Sequence, residues 1–202
     1  MKTGLFLLLA LLAYRLPAFA VDEKKIVDMT YPFSAETMHW PTAQPFKLEK
    51  ASEGMTPQGY WYADKKYLNF TLRFDYRFVR PKGLEDERDF IGNSGYFLFV
   101  TDHQVWPRML QMEGGQANAL APAPLGATAK FTQDADARRR AVRPLDEWNS
   151  VEIVSKNGQV MGYLNGTLVS AVTEHDFKEP GYIGFQSETG EIHWRNNRIK
   201  PE

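Results

Sequence analysis

Residues 148–199 read WNSVEIVSKNGQVMGYLNGTLVSAVTEHDFKEPGYIGFQSETGEIHWRNNRI. Five short apolar runs, Val151–Val154, Val160–Leu164, Leu168–Val172, Tyr182–Phe185 and Ile192–Trp194, are separated by Asn157-Gly158, Asn165-Gly166, Pro180-Gly181 and Thr189-Gly190. A two-residue hairpin turn needs positive φ at its central residues, and Asn-Gly supplies it. Two such pairs between β-rich runs predict a meander of antiparallel strands.

Upstream, Leu68, Phe70, Leu72, Phe74, Tyr76 and Phe78 alternate with Asn69, Thr71, Arg73, Asp75 and Arg77. That period of two predicts a strand with one buried face. Residues 81–90 are polar and aperiodic and read as a surface loop. Gly92-Asn93-Ser94-Gly95 then opens Tyr96–Val100, an unbroken apolar run expected to be covered on both faces. Gly115–Ala129, rich in Ala, Pro and Gly, reads as a loop over the sheet, and Asp134–Arg140 as a solvated connector or, alternatively, a turn or two of helix. The fold expected is all-β: one β-sandwich of two antiparallel sheets. No blade-length repeat supports a propeller.

Several motifs occur in a fixed order: Trp148-Asn149, Tyr163-Leu164-Asn165-Gly166, Gly181-Tyr182-Ile183-Gly184-Phe185-Gln186-Ser187-Glu188, and His193-Trp194-Arg195-Asn196, with Trp106-Pro107 before a strand ending near Glu113. In these the chain resembles the 3-keto-disaccharide hydrolase domain family over about residues 67–200. The resemblance implies a concanavalin A-like jelly roll and cleavage of the glycosidic bond of 3-keto sugars. Asn197 stands where that family usually carries an apolar residue, which implies fraying or a bulge in the last strand. Residues 21–63, by contrast, resemble the amino-terminal stretch of the cyclase family related to kynurenine formamidase, through Thr30-Tyr31-Pro32-Phe33, Trp40-Pro41-Thr42 and Gly59-Tyr60-Trp61-Tyr62-Ala63. The His-x-Gly-Thr-His-x-Asp metal segment of that family is missing here, so its metal chemistry is not expected.

The expected organisation is a signal peptide over 1–20, a cyclase-like segment over 21–63 and the sandwich over 64–202. The leader is read from Lys2, the apolar run Leu5–Ala13 and the small residues of Ala18-Phe19-Ala20. That run is too short to span about 30 Å of hydrocarbon, so no membrane span is expected and the protein is placed in the periplasm or outside the cell. The absence of cysteine excludes disulfides and thiolate metal sites. With 24 basic and 25 acidic residues mixed along the chain, no basic stripe exists to bind nucleic acid. The expected partner is a carbohydrate.

Glu113 ends an apolar run just before Gly114-Gly115, where a backbone can approach a ligand closely. It is a candidate catalytic carboxylate, or alternatively a surface residue at a strand end. Alternation on the last strand puts Glu191, His193 and Arg195 on one face, which is either a groove lining or a solvent face. The chemistry that the resemblance implies needs a base at the C2 hydrogen and a group that stabilises the enolate oxygen. Glu113 or His193 is assigned as base and Arg195 as electrostatic partner, with Asn93, Ser94, Trp106, Gln111, Gln186 and Asn196 as substrate-binding candidates. The four histidines show no metal-ligand spacing, so a divalent cation is left open without a ligand set. The alternative function is a noncatalytic carbohydrate-binding module on the same sandwich.

Overall fold

The computed structural model describes residues 27–28, 38–39, 59–102 and 106–202. The expected leader and most of the 21–63 segment lie outside them. The strands are β1 (Val27–Asp28), β2 (Met38–His39), β3 (Gly59–Tyr67), β4 (Phe70–Phe78), β5 (Asn93–Val100), β6 (Met109–Glu113), β7 (Pro122–Leu125), β8 (Ala129–Gln133), β9 (Asn149–Lys156), β10 (Gln159–Leu164), β11 (Thr167–His175), β12 (Gly181–Thr189) and β13 (Ile192–Pro201), with one helix, α1 (Ala135–Ala141). They form two antiparallel sheets. The first is ordered β1-β13-β4-β9-β10-β11-β8 and the second β2-β3-β12-β5-β6-β7. This is the all-β jelly-roll sandwich that the sequence predicts, and no helix among the described residues is long and apolar enough to cross a membrane.

The predicted meander holds for β9, β10 and β11, while β12 crosses into the second sheet between β3 and β5, and β13 returns to the first beside β4. Both Asn-Gly pairs take positive φ, at 52° and 76° for Asn157-Gly158 and 49° and 80° for Asn165-Gly166. The alternating strand is β4, whose Phe70, Leu72, Phe74, Tyr76 and Phe78 are all buried. Phe74 reaches across the sandwich to Tyr96 and Phe185, with ring centroids 4.4 and 4.9 Å away. Tyr96–Val100 is buried on both faces, as expected of a run without alternation. At Asn196–Asn197 the register of β13 against β4 slips and Asn196 takes φ 57°, so the expected irregularity is a bulge.

Three expectations need correction. The boundary at residue 64 falls inside β3, which pairs with β12 from Gly59 to Tyr67, so the sandwich begins upstream of it. Residues 115–129 are not all loop: Pro122–Leu125 pairs with β6. Its two prolines suggested a break, but the strand lies at a sheet edge, where proline interrupts no ladder on the open side. Residues 135–141 form the short helix given as the alternative, rather than the solvated connector. Asp134 caps it by accepting from Ala137 N at 2.8 Å, and the buried Arg138 anchors it through Nε to the Ala119 carbonyl at 2.8 Å. An arginine anchor leaves no apolar period to detect.

Candidate active site

Because Tyr96, Phe185, Leu110 and Met112 of the second sheet face inward, their neighbours in sequence face outward. Register then sets the outward residues in rows. Tyr60 on β3 stands beside Gln186 on β12, Gln186 beside Gly95 on β5, and Gly95 beside Glu113 on β6. The next row is Tyr62, Gly184, Phe97 and Gln111. Gly95 is required here: a Cβ at this position would lie 2.9 Å from both Gln111 Nε2 and Gln186 Oε1. The absent side chain leaves the two amides lying over the sheet floor, with a carboxylate at either end.

Those carboxylates are Glu113 and Glu188, both half-buried. Asn93 Nδ2 and Gln186 Nε2 donate to Glu188 Oε2 at 2.7 and 2.9 Å. Burial pushes Glu188 above the usual glutamate range, opposed by the Gln186 hydrogen bond. Burial also pushes Glu113 up, the negative charge of Glu188 adds to that, and hydrogen bonds from Gln111 and Asn118 pull the other way. Burial, followed by the Glu188 charge, raises the Tyr60 hydroxyl, which therefore stays neutral and able to donate. Two nearby carboxyls that resist ionisation, ringed by neutral amides and a phenol, hold their protons to higher pH than ordinary glutamates do.

The structure brings Glu113, Asn93, Gln111 and Gln186 together. Ser94 sits one residue off that face, buried, with Oγ donating to the Gln186 carbonyl at 2.7 Å, and its role is to tie β5 to β12. Trp106 is half-exposed on the loop from β5 to β6, at the opposite end of that hairpin from Glu113. His193, Arg195 and Asn196 lie on the outer face of the first sheet, on the far side of the sandwich core from Glu113. The expected partnership between Glu113 and Arg195 is therefore not assembled. Glu188, Asn118 and Tyr60 were missed, although the outward alternation of Gly184, Gln186 and Glu188 carried the signal for the first.

On that far face, His193 Nε2 is 2.7 Å from Glu191 Oε1, while Arg77 donates toward Nδ1 at 3.3 Å. Arg195 Nε and Asn196 Nδ2 donate to Asp75 Oδ2 at 3.1 and 2.8 Å, and Ser150 Oγ donates to Oδ1 at 2.6 Å. Burial pushes Asp75 up, but these hydrogen bonds and the Arg195 charge outweigh it and hold the carboxyl below its usual range. The Arg195 guanidinium also lies 4.0 Å from the Trp148 ring centre. Arg195→Lys keeps the charge but loses the planar fork and the stacking. It should lower stability by about 1 kcal/mol in a denaturant titration and leave turnover at the second sheet unchanged; a large loss of turnover with stability intact would return Arg195 to the active site.

Among the described residues, no group of three or more His, Asp or Glu side chains stands together as a metal site. Glu113 and Glu188 with their amide neighbours offer oxygen donors of the kind a hard divalent cation takes, but Glu188 already accepts two amide hydrogen bonds at one oxygen.

The model of the 3-keto-alpha-glucoside-1,2-lyase-like domain matches residues 34–200. The match takes in residues 34–63, which the sequence reading set apart as cyclase-like. Among solved structures, a candidate glycosyl hydrolase from Parabacteroides distasonis aligns with a TM-score of 0.53 at 21% identity, over 74% of this chain and 86% of that one, which shows a shared fold. A second candidate glycosyl hydrolase from that organism aligns at TM-score 0.47 and 18% identity, over 70% of this chain and 73% of its own. A carbohydrate-binding module from Bacillus subtilis aligns at 0.46 and 12%, over 84% and 99%. No curated protein matches the chain.

Proposed function

Because the chain belongs to the family of 3-keto-alpha-glucoside-1,2-lyase-like domains, a carbohydrate-active family, we propose that it breaks the glycosidic bond of 3-keto-glycosides at the outer face of the second sheet, with Glu113 as general base. A ketone at C3 acidifies the hydrogen on C2. The Glu113 carboxylate takes that proton, and the C–H electron pair moves into a C2–C3 double bond with the charge on the C3 oxygen. When the charge returns, the pair forms a C1–C2 double bond and expels the C1 substituent with its bonding electrons, and water then adds across the new double bond. The observation that carries this reading is the pairing of Glu113 with Glu188 across the Gly95 floor. Burial and the neighbouring charge make Glu113 a stronger base than an ordinary carboxylate. The Gln111 and Gln186 amides and the Tyr60 hydroxyl are the neutral donors beside it, suited to stabilising an enolate oxygen without quenching the base.

The leader-like residues 1–20 support placing this activity in the periplasm or outside the cell. Incubating the purified protein with a 3-keto-glucoside and with the matching unoxidised disaccharide tests the reading. Release of the C1 substituent from the keto sugar alone is the expected result. Saturable binding without release would make the protein a carbohydrate-binding module, and neither binding nor release would overturn the assignment.

A further inference from the structure

Glu113 owes its setting on the second sheet to an irregularity in the hairpin that follows it. Its amide donates to the Ala121 carbonyl at 2.9 Å while its own carbonyl accepts from Leu120 N at 2.6 Å, so two residues of the returning arm oppose one. Leu120 takes φ 62°. This is the bulge whose first residue lies in the left-handed region and is ordinarily glycine. Here a fully buried leucine holds that position, in a conformation disfavoured for a bulky side chain. Such strain persists where surrounding contacts over-determine it. Two buried side chains from outside the second sheet do so. Ser170 on β11 donates Oγ to the Leu120 carbonyl at 2.6 Å, and Arg138 on α1 donates Nε to the Ala119 carbonyl at 2.8 Å. Gly162 on β10 leaves room for this seat: a Cβ there would lie 2.7 Å from Ser170 Oγ and 3.3 Å from Leu120 Cβ.

We propose that Ser170 and Arg138 are positioning residues for Glu113: by seating the Leu120 bulge from the far side of the core, they fix the direction in which Glu113 leaves β6 and the approach of Asn118 to its carboxylate. The proposal rests on the reading of Glu113 as the base. Bulges re-aim side chains beside active sites, and Glu113 is the residue this one opposes. Asn118 belongs to the same turn, where its carbonyl accepts from Ala121 N at 2.9 Å, and its side chain hydrogen-bonds Glu113. A slack bulge therefore draws Asn118 away from the carboxylate it favours in the charged form. The reach of the base and its protonation change together, although neither Ser170 nor Arg138 is a partner of the carboxylate itself.

Ser170→Ala tests this, with Ser155→Ala as its matched control. Ser155 makes the same kind of bond, a buried serine Oγ donating to a backbone carbonyl at 2.6 Å, but to Leu68 at the turn between β3 and β4. The two variants should lose similar stability in a urea titration. Only Ser170→Ala should lower kcat on a 3-keto-glucoside, by about 10- to 100-fold with KM near the parent's, the cost of misplacing a catalytic group by up to about 1 Å. It should also carry the titration of the Glu113 carboxyl, followed by NMR of isotope-labelled glutamate, to higher pH, and Arg138→Met should move it the same way. Asn118→Ala should reproduce that shift, and adding Ser170→Ala to it should move the midpoint no further. If Ser170→Ala matches Ser155→Ala in every readout, Ser170 only holds the fold and the proposal falls. A parent that leaves the keto sugar intact ends the assignment of the base, and the carboxyl titration then decides the positioning by itself.

Discussion

Glu113→Gln should reduce kcat/KM on a 3-keto-glucoside by about 10²- to 10⁴-fold, the contribution typical of a positioned general base. Gln keeps the size of the side chain and its reach to Gln111 and Asn118 but cannot accept the C2 proton. The expected effect on stability runs the opposite way. Both Glu113 and Glu188 bind protons more tightly in the fold than in the unfolded chain. Their contribution is therefore fully present below the ordinary glutamate pKa of 4.5 and is lost as pH rises through the raised value. Replacing either by Gln removes that loss, so each variant should melt above the parent at pH 7 and converge with it in acid. Glu188→Gln also removes a negative charge beside Glu113, and the acid limb of its kcat/KM profile should move to lower pH. A Glu113→Gln enzyme with turnover within a few-fold of the parent would end the assignment of Glu113 as base.

Phe74→Ala should have the largest effect on folding. Phe74 is 2% exposed and makes ring contacts with Tyr96 of β5 and Phe185 of β12, so it is the point where the first sheet locks onto the second. Truncating such a residue costs about 3–5 kcal/mol in lost burial and cavity formation. Domains are stable by only about 5–15 kcal/mol. In a domain of this size the thermal midpoint should fall by on the order of 10 °C. Urea titration checks the value: the midpoint should drop with little change in slope. Tyr96 and Phe185 immediately precede or follow Gly95 and Gln186, so the same change should loosen the carboxylate site and reduce turnover even where the variant is folded. A loss under 1 kcal/mol would mean that the sheets are clamped elsewhere.

The turns and the buried alternation were legible in the sequence because each is a local rule: Asn-Gly supplies positive φ, and Phe70 to Phe78 alternate whatever lies opposite. The two edge features were hidden because they break local rules with tertiary help. β7 carries Pro122 and Pro124 yet pairs on one side, and α1 is held by the buried guanidinium of Arg138 instead of an apolar stripe. The candidate site was half legible. Glu113, Asn93, Gln111 and Gln186 could be nominated from strand ends and motifs. Which of them share a face depends on which sheet each strand joins, a long-range fact that alternation within one strand does not contain. His193 and Arg195 were grouped with Glu113 for that reason, although β13 and β6 belong to different sheets.

The strand order also sets when this protein can fold. β12 lies between β3 and β5, and β13 between β1 and β4. Neither sheet is continuous until residues 181–201 are in place, because each contains a gap that only the last two strands fill. A ribosome-bound chain ending before Gly181 would display four unpaired strand edges flanking the two gaps, and its most apolar strands, β4 and β5, would border them. Closure waits for contacts between residues more than eighty positions apart, and such pairings are slow to form. Synthesis therefore delivers an open, adhesive intermediate, and losing the final strand should leave a chain that a holdase chaperone keeps rather than a smaller folded domain.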